Sequence, residues 1–205
     1  MRTNARSIHK EPSALETRLL RTATRVFAQR GFYGAGIRDV ARAARVSIGT
    51  VYHYFRSKEA ILERILGEEM ARRRGFLEDL RRHGASLEAQ IRAIAEDHFA
   101  LIRERKHLAR LLLREWLDPT PGLRVNLQKI HDEIAECLAQ IIRDGIAVGQ
   151  IQSRDPVLVA HAMLGAMEAV SLRVLAAGKG ALCPVDKAAE ELSTFLWTGL
   201  CQPSS

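Results

Sequence analysis

The sequence predicts an all-α protein of about nine helices, and three observations support this prediction. Apolar residues recur at helical spacing along most of the 205-residue chain, and no segment gives a convincing strand. Helix-starting residues stand ahead of the apolar runs, at Ser13, Ser47, Ser57, Ser86 and the pair Asp155-Pro156. Breaks that contain glycine or proline separate the runs, and an apolar content of 47% is enough for a real core.

Three helices are expected in the first part of the chain. Ser13-Ala-Leu-Glu16 has the pattern of a capping box, and Gly31 fits the left-handed residue that ends a helix. A second helix follows around residues 37–44. A third begins near Ser47, with Val51 and Phe55 turned inward.

Helices are expected along the rest of the chain as well. They are expected from Ser57 to about His83, from Ser86 to about Arg105, over residues 106–117 and 123–149, from Pro156 to Gly178, and after Pro184. The composition changes near Gly67, so a domain boundary is predicted inside or beside the first of these helices.

Positive charge is concentrated at the start of the chain. Residues 1–66 carry 13 Lys and Arg against 5 Asp and Glu, a net charge of +8, whereas the whole chain has a net charge of +7. This distribution is expected if the first third of the protein meets a polyphosphate and the rest does not.

The sequence also indicates where in the cell the protein is expected. No run of 18 apolar residues is present, so no transmembrane helix is expected, and the first 13 residues lack the apolar stretch of a secretory signal. Cys137, Cys183 and Cys201 are odd in number and scattered, which is typical of reduced thiols in a cytosolic protein. An intermolecular disulfide at Cys201 is the less favoured alternative. We therefore expect a cytoplasmic protein.

Residues 31–58, GFYGAGIRDVARAARVSIGTVYHYFRSK, read as two short helices joined by a tight turn. The exposed beginning of the second helix suits a major groove. There Gly49 permits close backbone approach, Thr50 can offer its hydroxyl or methyl to a base edge, and Ile48 can contact a thymine methyl. Packing is the alternative role for the two tyrosines. The predicted DNA-binding residues are Arg38 (as a phosphate clamp), Ser47, Ile48, Gly49, Thr50, Tyr52, His53, Tyr54 and Lys58.

The run from Arg18 to Leu62 resembles the DNA-binding domain of TetR/AcrR-family repressors. The segment VSIGTVYHYFRSKEAIL carries the family pattern in Gly49, Tyr52 and Lys58. The resemblance implies a homodimer that binds an inverted-repeat DNA operator and responds to a small molecule. Together with the change in composition, we expect a basic flexible arm at residues 1–12, a helix-turn-helix domain at 13–66, and a ligand-binding and dimerisation domain at 67–205.

Three positions depart from the usual family pattern. Ala35-Gly36 replaces a frequent Thr-Ser or Thr-Thr and so removes a capping hydroxyl from the start of the second helix. Arg45 stands where the turn often has glycine, so a left-handed conformation there would be strained. Ile48 replaces a residue that is often polar. These departures leave the operator sequence open.

Two late helices are apolar on nearly every face. They are the helix of residues 156–178 and the last helix, which carries Phe195 and Trp197. Such helices need burial on several sides, and packing against a second copy of the chain explains this best. The alternative, that both are interior helices of a monomer, is weaker because the other helices can hardly cover them.

The ligand site is predicted in the C-terminal domain. The stretch EDHFALIRERKHLARLLLREW resembles an arginine-bearing segment of the FadR-type, acyl-CoA-responsive branch of the family. The resemblance implies a small hydrophobic effector, with a long-chain acyl-CoA as the leading candidate and a drug-like or aromatic compound as the alternative. The candidate residues are Phe76, Phe99, Arg105, Arg110, Leu112, Arg114, Trp116, Met163 and Met167, for which core filling or surface ion pairing is the other explanation.

Two further classes of function compete with this hypothesis. An enzyme is disfavoured because the sequence has no Gly-rich phosphate loop, no metal-ligand spacing and no GxSxG turn, so no catalytic residue, metal or cofactor is expected. A structural DNA-binding protein without an effector is disfavoured because dimerisation alone needs less chain than the nearly neutral C-terminal two-thirds.

Overall fold

The computed structural model describes residues 13–152, 154–176 and 184–201. These residues form nine α-helices and no strand, which confirms the predicted fold class. The helices are α1 (Ala14–Arg30), α2 (Ile37–Ala44), α3 (Ile48–Tyr54), α4 (Lys58–Arg82), α5 (Leu87–Glu104), α6 (Lys106–Leu117), α7 (Arg124–Ala147), α8 (Pro156–Ala176) and α9 (Val185–Leu200). The predicted arm, the expected helix end at Gly178, and Cys183 lie outside the described residues, within which Cys137 and Cys201 are free thiols.

Side-chain caps place several of the helix starts where the sequence predicts them. The Ser13 hydroxyl accepts the Glu16 amide at 3.1 Å, and the Ser57 hydroxyl accepts the Ala60 amide at 3.2 Å. One carboxylate oxygen of Asp155 accepts two amides at the start of α8, at 2.9 and 3.1 Å. Each cap satisfies amides that have no partner within the first turn of the helix.

The chain divides into two compact units between Arg64 and Ile65, a point that lies inside α4. The first unit contains α1, α2, α3 and the first turns of α4. Its core is formed by fully buried side chains, among them Leu19, Phe27, Val40, Val51 and Ile61. The ring of Phe27 meets that of Phe32 edge to face at 5.5 Å, which packs the end of α1 against the turn that follows.

Both unusual backbone positions near α2 behave as the sequence suggests. Arg45, after α2, has φ 56° and ψ 47°, and it is the one non-glycine residue with positive φ in the described part of the chain. Gly36 provides no side-chain cap for α2. Instead the Asp39 carboxylate accepts the Gly36 amide at 3.0 Å and pairs with Arg30 at 2.7 Å. The hydrogen bond from Gly36 is the main cause that lowers the pKa of Asp39.

The second unit is a bundle in which α5 packs against α9 and α7 packs against α8. Its core includes Ile91, Phe99, Leu111, Leu138 and Ile142, all of them fully buried. The helices α5 and α6 are nearly continuous, because only Arg105 separates them.

An apolar surface is left open on α8 and α9 within one chain. Leu158, Ala162, Gly165 and Ala169 lie on one exposed stripe of α8, and the Phe195 side chain on α9 is 70% exposed. By length and composition alone α8 could also cross a membrane, and only 28% of its most apolar 18-residue stretch is buried within the chain. An apolar stripe of this kind needs cover from outside the chain, and its small residues permit another helix to approach closely.

Candidate DNA-binding surface and ligand cavity

The surface that the sequence predicts to bind DNA is formed by α3 and the turn before it. Val51 is fully buried and anchors α3, whereas the side chains of Ile48 and Tyr52 are 40% and 55% exposed. Gly49 and His53 are exposed beside them, and Arg38 is exposed on the preceding helix. The fold therefore presents these five predicted residues to solvent in the first unit.

Gly49 has no packing reason to be glycine. A Cβ atom built on it would meet only the Ser47 hydroxyl oxygen, at 3.7 Å, which is an ordinary van der Waals distance. Its φ is not among the positive values, so no backbone strain requires glycine either. The absence of a side chain on this exposed helical face suits close approach by a ligand backbone or groove.

Three other predicted residues also have partners within the protein. The Ser47 hydroxyl accepts the Thr50 amide at 3.0 Å, and the two hydroxyl oxygens lie 2.8 Å apart. The Tyr54 hydroxyl accepts a hydrogen bond from Ser13 at 3.2 Å, and its ring is half-buried. Ser47, Thr50 and Tyr54 thus help to hold α3 in place.

Lys58, which was predicted to contact DNA, also has partners within the protein. Its ammonium group donates to the carbonyl oxygens of Phe32 and Ala35, at 3.0 and 3.4 Å, and lies 4.3 Å from the centre of the Phe32 ring. Lys58 therefore ties the start of α4 to the loop between α1 and α2. Sequence spacing could not show this because the partners are 23 and 26 residues away.

Two exposed residues of the first unit were missed by the sequence analysis. Tyr33 follows the buried Phe32 and is 65% exposed, so its ring stands out from the loop between α1 and α2. Arg42 is exposed on α2, 3.8 Å from Asp39. The position of Tyr33 directly after the buried Phe32 is the sequence signal that could have indicated an exposed aromatic ring here.

A cavity lies in the second unit between α4, α5, α6, α7 and α8, and its volume is about 100 Å³. One water molecule needs about 10–15 Å³ by a comparable measure, so the cavity has room for several water-sized groups. Most of its wall is apolar, with Leu66, Met70, Leu112, Trp116 and Leu164 among the lining residues. Such a cavity suits an apolar ligand.

Polar side chains line another part of the cavity wall. His98 and Ser171 are hydrogen-bonded at 2.8 Å, and Arg73 and Glu168 also reach the cavity. Burial lowers the pKa of His98 to about 3, the charge of Arg73 adds to this effect, and a hydrogen bond with the Met167 backbone opposes it. His98 is therefore a neutral hydrogen-bonding group at physiological pH.

A buried carboxylate recruits the arginines near the cavity. The Glu69 side chain is fully buried and contacts Arg72, Arg73 and Arg105 at 2.9, 3.3 and 3.0 Å. Arg72 also pairs with Asp97 at 2.8 Å, and this hydrogen bond is the main cause that raises the Arg72 pKa. Three cations around one buried anion offset the cost of its desolvation.

Only two of the predicted ligand residues, Leu112 and Trp116, line this cavity. Arg105 instead pairs with Glu69, and Arg110 and Arg114 lie exposed on another side of α6. The other four predicted residues do not line it: Phe99, Met163 and Met167 are buried in the core, and Phe76 lies beside Phe99 at a separate surface groove. The cavity residues that the sequence analysis missed include Arg73, His131 and Ser171.

Two family models match the chain. The model of bacterial regulatory proteins of the tetR family matches residues 19–65, and the model of the tetracyclin repressor-like C-terminal domain matches residues 84–172. The chain belongs to the TetR family. It is thus a DNA-binding transcriptional regulator of a family whose members act as homodimers.

Three similar proteins illustrate the relationship. The HTH-type transcriptional repressor KstR2 of Rhodococcus jostii is 28% identical over 206 residues, which cover 93% of each chain. The fatty acid degradation regulator FadR of Bacillus halodurans superposes with a TM-score of 0.84 at 21% identity, over 93% of this chain and 98% of its own. FadR of Bacillus subtilis, solved in complex with stearoyl-CoA, gives a TM-score of 0.79 at 23% identity, over 90% and 99%.

Proposed function

We propose that this TetR-family protein is a cytoplasmic repressor, and that a small hydrophobic molecule in the cavity releases it from an inverted-repeat operator. The observation that carries the proposal is the course of α4. This single helix begins at Lys58, next to the recognition helix in sequence, and it supplies Leu66, Met70 and Arg73 to the cavity wall. A ligand that shifts α4 can therefore act on the DNA-binding unit through one continuous helix.

On the DNA side, we assign base contacts to the beginning of α3. Ile48 offers an apolar surface to a thymine methyl, Gly49 permits close approach, and Thr50 offers its methyl group beside a hydroxyl shared with Ser47. Tyr52, His53 and Arg38 are placed to contact the backbone. In a homodimer the two copies of α3 read half-sites about 34–36 Å apart, or somewhat more.

For the effector, we propose a long-chain acyl-CoA as the leading candidate. The apolar wall of the cavity and the stearoyl-CoA complex of a structural neighbour support this choice. An aromatic compound is the alternative, because Trp116 and His131 present stacked rings to the same cavity. Met70, a flexible side chain in the wall, suits ligands of different shapes.

The remaining classes of function are less well supported. The similar proteins are transcriptional regulators, and we propose that this chain likewise has no catalytic activity. A purely structural DNA-binding protein would have no use for a cavity lined by both apolar and hydrogen-bonding side chains in its second unit.

Selection of binding sites from random DNA, followed by footprinting, tests the DNA-binding part of the proposal. We expect an inverted repeat occupied by one dimer, with acyl-CoAs of increasing chain length displacing the protein and free coenzyme A having no effect. Binding of a monomer to a single half-site would contradict the proposal that the protein binds DNA as a dimer. If no acyl-CoA displaces the protein from the operator but an aromatic compound does, the result would favour the alternative effector.

A further inference from the structure

We infer that the cavity contains a hydroxyl-binding site formed by His131 and Glu168, so that it prefers an apolar ligand with an O–H group over a matched ligand without one. This inference rests on the proposed function only in taking the cavity as the effector site. It adds a chemical requirement that an apolar wall does not impose.

The first evidence is a buried polar atom. Nε2 of His131 is inaccessible to solvent and has no hydrogen-bond partner among the described residues. The nearest carboxylate oxygen, Oε1 of Glu168, lies 3.6 Å away, which is beyond hydrogen-bonding distance. Buried polar atoms in folded proteins are almost always paired, so an unpaired one beside a cavity indicates a group that is supplied from outside the chain.

The second evidence is that the imidazole ring is held in place. The Trp116 ring stacks on His131 with a centroid distance of 3.9 Å and an interplanar angle of 17°. The ring of His161 lies 5.5 Å from that of His131, at 27°. Because the stack on Trp116 fixes the plane of the imidazole ring, a group that meets Nε2 must approach close to that plane.

A hydroxyl is the group that matches this pair. It accepts a hydrogen bond from an N–H at Nε2 and at the same time donates its own proton to the Glu168 carboxylate. An ether or a carbonyl has no proton to donate to Glu168, and a carboxylate would be repelled by it. A cationic amine can donate to Glu168 but has no lone pair to accept a hydrogen bond from an N–H at Nε2.

The position of the pair also orients the ligand. Trp116, Leu127 and His131 line both the cavity and an open surface groove that contains Arg124 and Gln128. These three side chains therefore separate the cavity from solvent. A molecule whose hydroxyl meets His131 has its polar end on the side of this groove and its apolar body among the remaining cavity residues, such as Ile102.

Calorimetric titration of the full-length protein with three matched probes tests the inference: 1-decanol, decyl methyl ether and decylamine. We expect wild-type protein to bind the alcohol roughly tenfold more tightly than the ether, about the effect of one or two hydrogen bonds. His131→Phe retains a ring for the Trp116 stack but has no Nε2, and Glu168→Gln removes the carboxylate. Both should reduce the ratio to nearly one while the ether still binds, which shows that the variants are folded.

Asp132→Asn is the matched control, because it removes one exposed carboxylate next to His131 in the chain and should leave the ratio unchanged. Equal binding of alcohol and ether by the wild type, tighter binding of the amine, failure of all three probes to bind, or an unchanged ratio in His131→Phe would each overturn the inference. The proposed function fails separately, because displacement from the operator by acyl-CoAs is measured without these probes.

Discussion

Gly49→Ala should change stability and operator binding in opposite directions. The added Cβ lies at an ordinary 3.7 Å from the Ser47 hydroxyl, so the fold accommodates it without strain. Alanine in a helix is more favourable than glycine by roughly 0.5–1 kcal/mol, and the gain is at the low end near a helix start. For a chain of this size that corresponds to a rise of about 1–3 °C in Tm.

The same methyl group should weaken operator binding. It projects from the exposed beginning of α3, where we propose that the backbone approaches the bases, and loss of a base-edge contact costs roughly 1–3 kcal/mol. That is about a 5-fold to 150-fold loss in affinity for the selected operator, with little change for random DNA. Fluorescence anisotropy at one fixed salt concentration measures the affinity for the operator and the affinity for random DNA.

Gly67→Ala provides the control for this prediction. Gly67 is also helical and exposed, and a Cβ atom there meets nothing within 4 Å. This substitution should raise the Tm as well and leave operator affinity unchanged. Unchanged operator affinity in Gly49→Ala, or a lower Tm, would refute the reasoning about the recognition surface.

Three further predictions concern the scaffold. Lys58→Met should destabilise the protein by about 1–3 kcal/mol in urea unfolding, because the carbonyls of two loop residues lose their donor. Unchanged stability would show that these two hydrogen bonds contribute little to the fold. Arg45→Gly should stabilise by about 1 kcal/mol because glycine tolerates φ 56°, and a loss of stability would show that the arginine side chain matters more than the strain. The pKa of His98 is lowered to about 3, so the unfolded state binds more protons below pH 6.5 and stability should fall as the pH decreases from 6.5 towards 3. His98→Gln should show a smaller fall over that range, and identical pH profiles would exclude His98 as the cause.

Local sequence signals predicted the helices well. Ser13, Ser57 and Asp155 cap helices through amides two or three residues away, so the information is contained in a few neighbouring residues. The sequence also singled out Arg45, because it stands where the turn of the helix-turn-helix motif often has glycine, and the φ of Arg45 is positive.

The ligand site was predicted poorly because its contacts are distant in sequence. His98 meets Ser171 across 73 residues, and Glu69 draws in Arg105 across 36. A buried glutamate cannot be recognised from composition, so the arginines looked free for a ligand. Likewise, nothing in the sequence distinguishes Leu112, which lines the cavity, from Met163, which fills the core.

The central claim, that one ligand in the cavity controls DNA binding, is tested most directly by measuring the coupling in both directions. Operator affinity is measured with and without saturating stearoyl-CoA, and stearoyl-CoA affinity with and without operator. We predict that both change by the same factor, about 5–150-fold, which corresponds to 1–3 kcal/mol of coupling.

A variant with a filled cavity belongs in the same measurement. Leu112→Trp, which projects into the cavity, should bind the operator and lose the response, whereas Leu117→Trp at an exposed position should keep it. Equal operator affinity with and without stearoyl-CoA, or a Leu112→Trp variant that responds like the wild type, would contradict control of DNA binding by stearoyl-CoA in this cavity.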